Sequence, residues 1–513
     1  MAASAQSNPG APVARLPSRA RGQALYLMLG FSAGLPFLMF SSVLAVRLTE
    51  HGVALAIIGF FAWVTLLPTF KFLWAPLLDR YGVPGFTRFW GKRRGWIMLS
   101  QLGIFSCLLG MALTSSDTSL AVTALLAVLL AFWTTTLEIA ADAWRIELAP
   151  TAEEQAPLAA ANIWGYRTAM VAAGSGALIL ADVDQIGWTG AYLAIAAAAL
   201  IPFPILAAMG PDPDPSAGRS SALVGGLVAG AAIFLALAAI AAAVGWVLLE
   251  AAGGIGISSD TNVTPYVAAL AALPFLLMAA ALPKIRRLPP SAPARRSVAI
   301  GPYVDFFWRY GFMALALMAF VSIYRMGDVL ALGLSKPMVL SLGYTKTQIG
   351  LADTWVALLA SILGVGVGAW MAARWRQVWA LAAGALFAAI GNFGFVWLAH
   401  QQPPTDLALY LATAADQFGN GMAGTVFVIY LALLVNPRFP GAQYAFLTGF
   451  AFLLPRLLAG AGGSMVQSFD EAGLPGWDMF FLISGAASLA ALPLLPLIAR
   501  ARPREPDEVK VFA

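Results

Sequence analysis

Residues 119–133, SLAVTALLAVLLAFW, run without a break into residues 134–148, TTTLEIAADAWRIEL. The first part is apolar and, with the second, long enough to cross a bilayer, which takes about 20 residues of helix. Yet the second part carries Glu138, Asp142 and Arg145. On a helix these positions are four and then three apart, so they share one face. A stripe of charge on an otherwise apolar helix points to a buried polar pathway rather than to a lipid-facing surface.

The rest of the chain repeats the apolar part of this pattern. Of 513 residues, 60% are hydrophobic and 11% charged, and the mean hydropathy is +0.79. Such segments satisfy their backbone hydrogen bonds in lipid only as helices, and they are too long for tilted barrel strands. The fold class is an all-α membrane protein. Helices are expected near 22–48, 55–79, 95–114, 119–143, 157–181 and 188–208, a bundle over 22–208. After a linker, 209–222 with the stretch GPDPDPSAGRSS, come apolar segments near 223–249 and 264–282. A basic linker, 283–305, precedes a second set near 308–335, 346–370, 377–398, 404–433, 441–467 and 476–499, a bundle over 306–499. Residues 1–21 read as an attached polar arm and 500–513 as a tail.

Charge placement sets the topology, because short cytoplasmic loops collect Lys and Arg. With the amino terminus inside, Arg88, Lys92, Arg93, Arg94, Lys284, Arg286, Arg287, Arg374, Arg376, Arg438 and Arg500 all lie on the cytoplasmic side. Arg47, Lys336 and Lys346 fall near the outer one. The extra pair between the halves must then be a full hairpin, since one added crossing would invert every later loop. About 14 spans with both termini cytoplasmic is the expectation.

The net charge of +5 is scattered at helix ends and gives no nucleic-acid surface. A lone Cys107 and two isolated histidines, His51 and His400, provide no cluster for a metal or other cofactor. No phosphate-cradling glycine loop is present, which leaves ATP-driven transport without support. The halves read as weak repeats: GYRTAMVAAGSGALILAD and LPRLLAGAGGSMVQSFD each order an arginine, a small-residue helix and a terminal aspartate. That is the organisation of many secondary transporters. The small residues of GFSAGLPFLMFSS fit close helix packing, with Pro36 kinking the first helix.

Charges at membrane depth are the candidate site, since each costs roughly 2.5–3.5 kcal/mol on insertion scales. Glu138, Asp142 and Asp328 are candidates for proton coupling. Candidates for substrate binding are Arg167, Arg325, Arg456, Asp353, Asp416 and Asn420, with Trp164 able to stack on a sugar. Arg325 and Asp328, three apart, share a face.

The order GFSAGLP, IGFF, FKFLWAPLLDRYG, GKRRGW, DAWR, GYRTAM, GWTGAY and IYRMGD resembles the AmpG-type muropeptide permeases of the major facilitator superfamily, over roughly 22–208 and 305–495. The resemblance implies two pseudo-symmetric six-helix bundles with an extra hairpin, no enzymatic activity and no cofactor. It also implies proton-driven import of anhydro-muropeptides by a monomer in the inner membrane, for cell-wall recycling and β-lactamase induction. By motif, Asp79, Arg80, Lys92 and Arg93 would form a cytoplasmic gating loop; here VPGFTRFW is inserted before GKRRG. The same resemblance leaves open a siderophore or acyl-CoA importer. A membrane-embedded glycan enzyme is a remote third reading, because the acids are spread across both halves and form no paired catalytic set.

Overall fold

In a computed structural model, residues 19–51, 63–114, 120–209, 276, 278–289, 292–401, 403–460 and 462–504 are described. The expected hairpin over 223–282 lies almost wholly outside them. Among the described residues the chain is helical, and nine helices are long and apolar enough to cross a membrane.

We number the main helices α1 (Ala20–Leu48), α3 (Lys92–Leu113), α4 (Leu120–Leu148), α6 (Gly187–Ala208), α7 (Met313–Ser341), α8 (Gln348–Arg374), α9 (Gln377–Ala399), α10 (Asp406–Leu434) and α12 (Gly476–Ile498). Between them lie α2 (Trp63–Leu73 continued by Ala75–Arg80), α5 (Ala152–Val171 continued to Ala181) and α11 (Pro440–Gly460, followed by Gly462–Glu471). Helices α1–α6 and α7–α12 form the two halves. Where the halves meet, α5 packs on α8 and α10, and α11 packs on α2 and α4.

Small residues let α1 pack closely along α5. A β-carbon on Gly30 would collide with the Asn162 carbonyl, and one on Gly165 with the Leu27 carbonyl. Backbone atoms cannot rotate aside as a side chain can, so the helices would have to separate. Gly165→Ala is therefore expected to destabilise the protein by about 1–3 kcal/mol. Thermal unfolding of the purified protein in detergent checks it; an unchanged midpoint would show that α1 and α5 yield freely.

Several helices are interrupted where they matter. The first is broken at Phe40 and Ser41, a turn after Pro36. Helices α5 and α8 each contain a π-helical turn, at Ala172–Gly176 and Ala352–Val356. Such turns often sit at functional sites. Helix α7 is split between Tyr324 and Met326 by Arg325, whose φ of −101° and ψ of 8° leave the helical region. The basic linker also differs from a plain connection: Gly301–Tyr310 is an amphipathic helix, turned into α7 by Gly311 at φ 58°.

Candidate functional site

The break in α7 builds the floor of a cavity. Gly327 lets the broken segment lie against α12, where any β-carbon would strike Ser488 and the Ser484 carbonyl. Asp328 then falls in the first turn of Met326–Ser341, where a carboxylate is favoured by the exposed N–H groups of a helix start. Arg325 Nη1 lies 2.7 Å from Asp328 Oδ2. Its Nη2 donates to Asn420 Oδ1 at 2.9 Å, tying α7 to α10. Both members of the pair are buried.

Above this floor is a cavity of about 500 Å³ between the halves, with Ser42, Arg167, Asp328, Lys336, Asp353 and Asp416 among its lining residues. Both π-helical turns face it, through Gly174 and Ser175 on α5 and Asp353 and Thr354 on α8. At the rim, Lys336 Nζ meets Asp353 Oδ2 at 2.5 Å, with side chains 62% and 40% exposed. The cavity thus runs from an exposed rim to a buried floor. Asp416 on α10 accepts from Gln417 Nε2 at 2.8 Å. Arg167 on α5 lines the wall with no carboxylate at ion-pair distance among the described residues.

The opposite end is shut. Arg93, buried at the start of α3, donates through Nη2 to Asp79 Oδ1 at 2.8 Å and to Glu147 Oε1 at 2.7 Å. Asp79 in turn accepts from the backbone N–H of Gly441 at 3.1 Å and of Ala442 at 2.7 Å, in the other half. Helices α5 and α8 begin with capping boxes of their own, Thr151 with Glu154 and Thr345 with Gln348. The start of α11 instead receives its carboxylate from the first half, so the cap is also a clasp between halves. Lys92 Nζ holds the Asp79 carbonyl at 2.9 Å, whereas Arg80 is exposed.

A second clasp comes from the amphipathic helix of the linker. Tyr303 donates its hydroxyl to the Phe72 carbonyl of α2. Asp305 accepts from Asn436 Nδ2 at 2.9 Å and Gln443 Nε2 at 3.0 Å. Nearby, Arg145 bridges Asp142 at 3.0 Å, Gln155 at 2.5 Å and the Tyr444 hydroxyl at 3.3 Å.

The structure therefore divides the candidate residues. Arg167, Asp328, Asp353, Asp416 and Asn420 line the cavity, with Arg325 at its floor. Asp142 sits in the closed end beside Arg145. Glu138 lies between the two regions, 3.7 Å from Lys71 Nζ. Arg456 donates to Thr69 Oγ1 at 2.6 Å, across the halves. Trp164 is not a cavity wall; its indole N–H donates to the Ile362 carbonyl at 3.0 Å, joining α5 to α8.

Other participants escape a reading of one helix at a time. Lys71, Glu147, Asp305 and Gln443 acquire their roles from partners on distant helices. Lys71 was visible within FKFLW as a charge in an apolar run, while the rest carry no local signal. Arg47, placed above near the outer side, is buried and donates to the Met111 and Thr114 carbonyls at 2.7 and 2.8 Å. It caps the end of α3, where orphan carbonyls favour a cation.

No family model matches the chain. Solved structures do: the proton:xylose symporter XylE aligns with a TM-score of 0.61 at 14% identity, covering 94% of this chain and 95% of that one. The peptide transporter POT aligns with a TM-score of 0.57, also at 14% identity, covering 94% and 96%. The fold is that of the major facilitator superfamily. In sequence, this facilitator-fold chain is 29% identical to the anhydromuropeptide permease of Escherichia coli K12 over 476 residues, 92% of this chain and 78% of that protein. It is 26% identical to a Rickettsia conorii protein named as transporter AmpG 4, over 91% of this chain and 94% of that one. The resemblance read from the motifs thus extends along nearly the whole chain, and with its many apolar helices the protein is a multi-pass membrane protein.

Proposed function

We propose that the protein is a proton-coupled importer of anhydro-muropeptides, GlcNAc–anhydroMurNAc with or without its peptide, working in the cytoplasmic membrane for cell-wall recycling. The observation that carries this reading is the charged cavity between two halves, sealed at one end by cross-half bonds, in a chain aligned over 92% of its length with an anhydromuropeptide permease. With the amino terminus cytoplasmic, the rim at Lys336 and Asp353 faces the periplasm and the Asp79 clasp faces the cytoplasm. The arrangement is then a loading state: open to incoming cargo, closed behind it.

Each half supplies wall and gate from a single chain, so a monomer suffices. Cavity arginines suit the carboxylates of a muramic ring or a peptide, which guanidinium groups bind well. The proton-handling group belongs between the two deeper cavity acids, Asp328 and Asp416, because the third, Asp353, is paired with Lys336 at the exposed rim. Glu138 and Asp142 would serve the gate instead.

Uptake of labelled GlcNAc–anhydroMurNAc into liposomes containing the purified protein tests this. Accumulation driven by an inward acid gradient and abolished by a protonophore is the expected result. Absence of uptake in vesicles holding folded protein would sink the cargo assignment and direct the same assay to siderophores and acyl-CoA.

A further inference from the structure

The ionisable side chains around the cavity are Arg167, Arg325 and Lys336 against Asp328, Asp353 and Asp416. Arg325 is paired with Asp328 at 2.7 Å and Lys336 with Asp353 at 2.5 Å. Arg167 and Asp416 are left over. Among the described residues Arg167 has neither a hydrogen-bond partner nor an ion pair, and Asp416 has only the amide of Gln417.

The two line the same cavity, Arg167 from α5 and Asp416 from α10. The ionisable groups around Arg167 are Arg325 and Asp328 from α7, Asp416 from α10 and Tyr166 from its own helix. Those around Asp416 are Asp328, Arg325 and Arg167, with the Gln417 amide at 2.8 Å. Helix α9, which abuts Asp416 at Gly391, carries no ionisable residue. On α8, Asp353 is engaged at the rim.

We infer that Arg167 is the carboxylate subsite of the cargo and that Asp416 is the proton acceptor tied to it, so that each carboxylate docked on Arg167 brings one proton onto Asp416. This rests on the cargo reading above. A cargo carboxylate on Arg167 with both aspartates ionised would set three anions against the two guanidinium groups of Arg167 and Arg325. Such an excess is costly in a cavity partly shielded from water. A proton on Asp416 restores neutrality. Binding of the two is thereby linked, and the linkage is reciprocal: acid tightens the carboxylate, and the carboxylate tightens the proton. The site would favour cargo with a free carboxylate over its neutral amide when Asp416 is protonated, and would carry a monoanion without net charge movement.

Equilibrium binding to the purified full-length chain separates the possibilities, with GlcNAc–anhydroMurNAc and its carboxamide titrated at pH values on both sides of neutrality. Wild type is expected to bind the acid more tightly as pH falls, by up to about tenfold per pH unit, the limit for one linked proton. The carboxamide is expected to show no such slope. In Asp416→Asn, acid binding should be flat with pH; concentrative uptake should disappear while exchange of labelled for unlabelled cargo persists, which also reports folding. In Arg167→Gln, the distinction between acid and amide should vanish. An acid slope retained in Asp416→Asn, or an equally steep slope for the carboxamide in wild type, would overturn the inference. The wild-type comparison decides even if the variants do not fold. No wild-type binding of either compound would instead overturn the cargo assignment, and the inference with it.

Discussion

Asp79→Ala is expected to open the closed end of the protein and to shift its conformational equilibrium by about a hundredfold or more. The carboxylate accepts two backbone N–H groups of α11 from across the half-to-half boundary, at 3.1 and 2.7 Å. Hydrogen bonds to a charged group contribute about 1.5–3 kcal/mol each. Two of them amount to at least about 3 kcal/mol, and each 1.4 kcal/mol is roughly tenfold in population. The loss is specific to the closed state, since these bonds join elements that must part when that end opens. Arg93 would keep Glu147, at 2.7 Å, so the first half retains its own structure.

Cysteine accessibility provides the readout. Cys107 is the sole cysteine, and in a variant lacking it a reporter cysteine at Phe439 can be labelled by an impermeant maleimide applied from the cytoplasmic side. Labelling should accelerate in proportion to the open population, and uptake should fall as the loading state is depleted. Unchanged labelling would mean that the linker helix, through Tyr303 and Asp305, holds the end closed without Asp79.

The division between what the chain reveals in one dimension and what it withholds follows the range of the interactions. Helix positions depend on apolar length, and the expected spans fall on α1, α3, α4, α6, α9, α10 and α12 within a few residues. The end of α7 is different. The expected span ends near residue 335, yet the helix continues to Ser341 with Pro337 inside it. Lys336 is a cavity-rim partner of Asp353 rather than a loop charge. The Arg325–Asp328 pair was legible because both members lie on one helix, three apart. Glu138 has an equally clear local spacing, but its partner is Lys71 of α2; Asp142 keeps Arg145 on its own helix, and what that arginine meets next, Gln155 of α5 and Tyr444 of α11, is set by the fold. Spacing names the residues that share a face; the tertiary fold decides what that face meets.

Asp328→Asn is expected to cost about 3–5 kcal/mol of stability, the penalty for leaving one member of a buried ion pair without its counter-charge. Arg325 would retain only Asn420, a neutral acceptor at 2.9 Å, while its guanidinium stays buried. The split in α7 makes matters worse, because Asp328 also lies in the first turn at the restart of that helix, where a negative charge is favoured. A double variant, Arg325→Gln with Asp328→Asn, removes the stranded charge and should recover much of the loss, since neutral replacement of both members is tolerated far better than replacement of one. Thermal unfolding of the two variants and of Arg325→Gln alone closes a double-mutant cycle, which isolates the coupling of the pair. Additive single effects would show that Arg325 and Asp328 are independent, and would remove the floor from the cavity's charge balance. Strong coupling together with lost uptake in the refolded double variant would give the pair a second role: a fixed salt bridge against which the unpaired Arg167 and Asp416 can exchange cargo and proton.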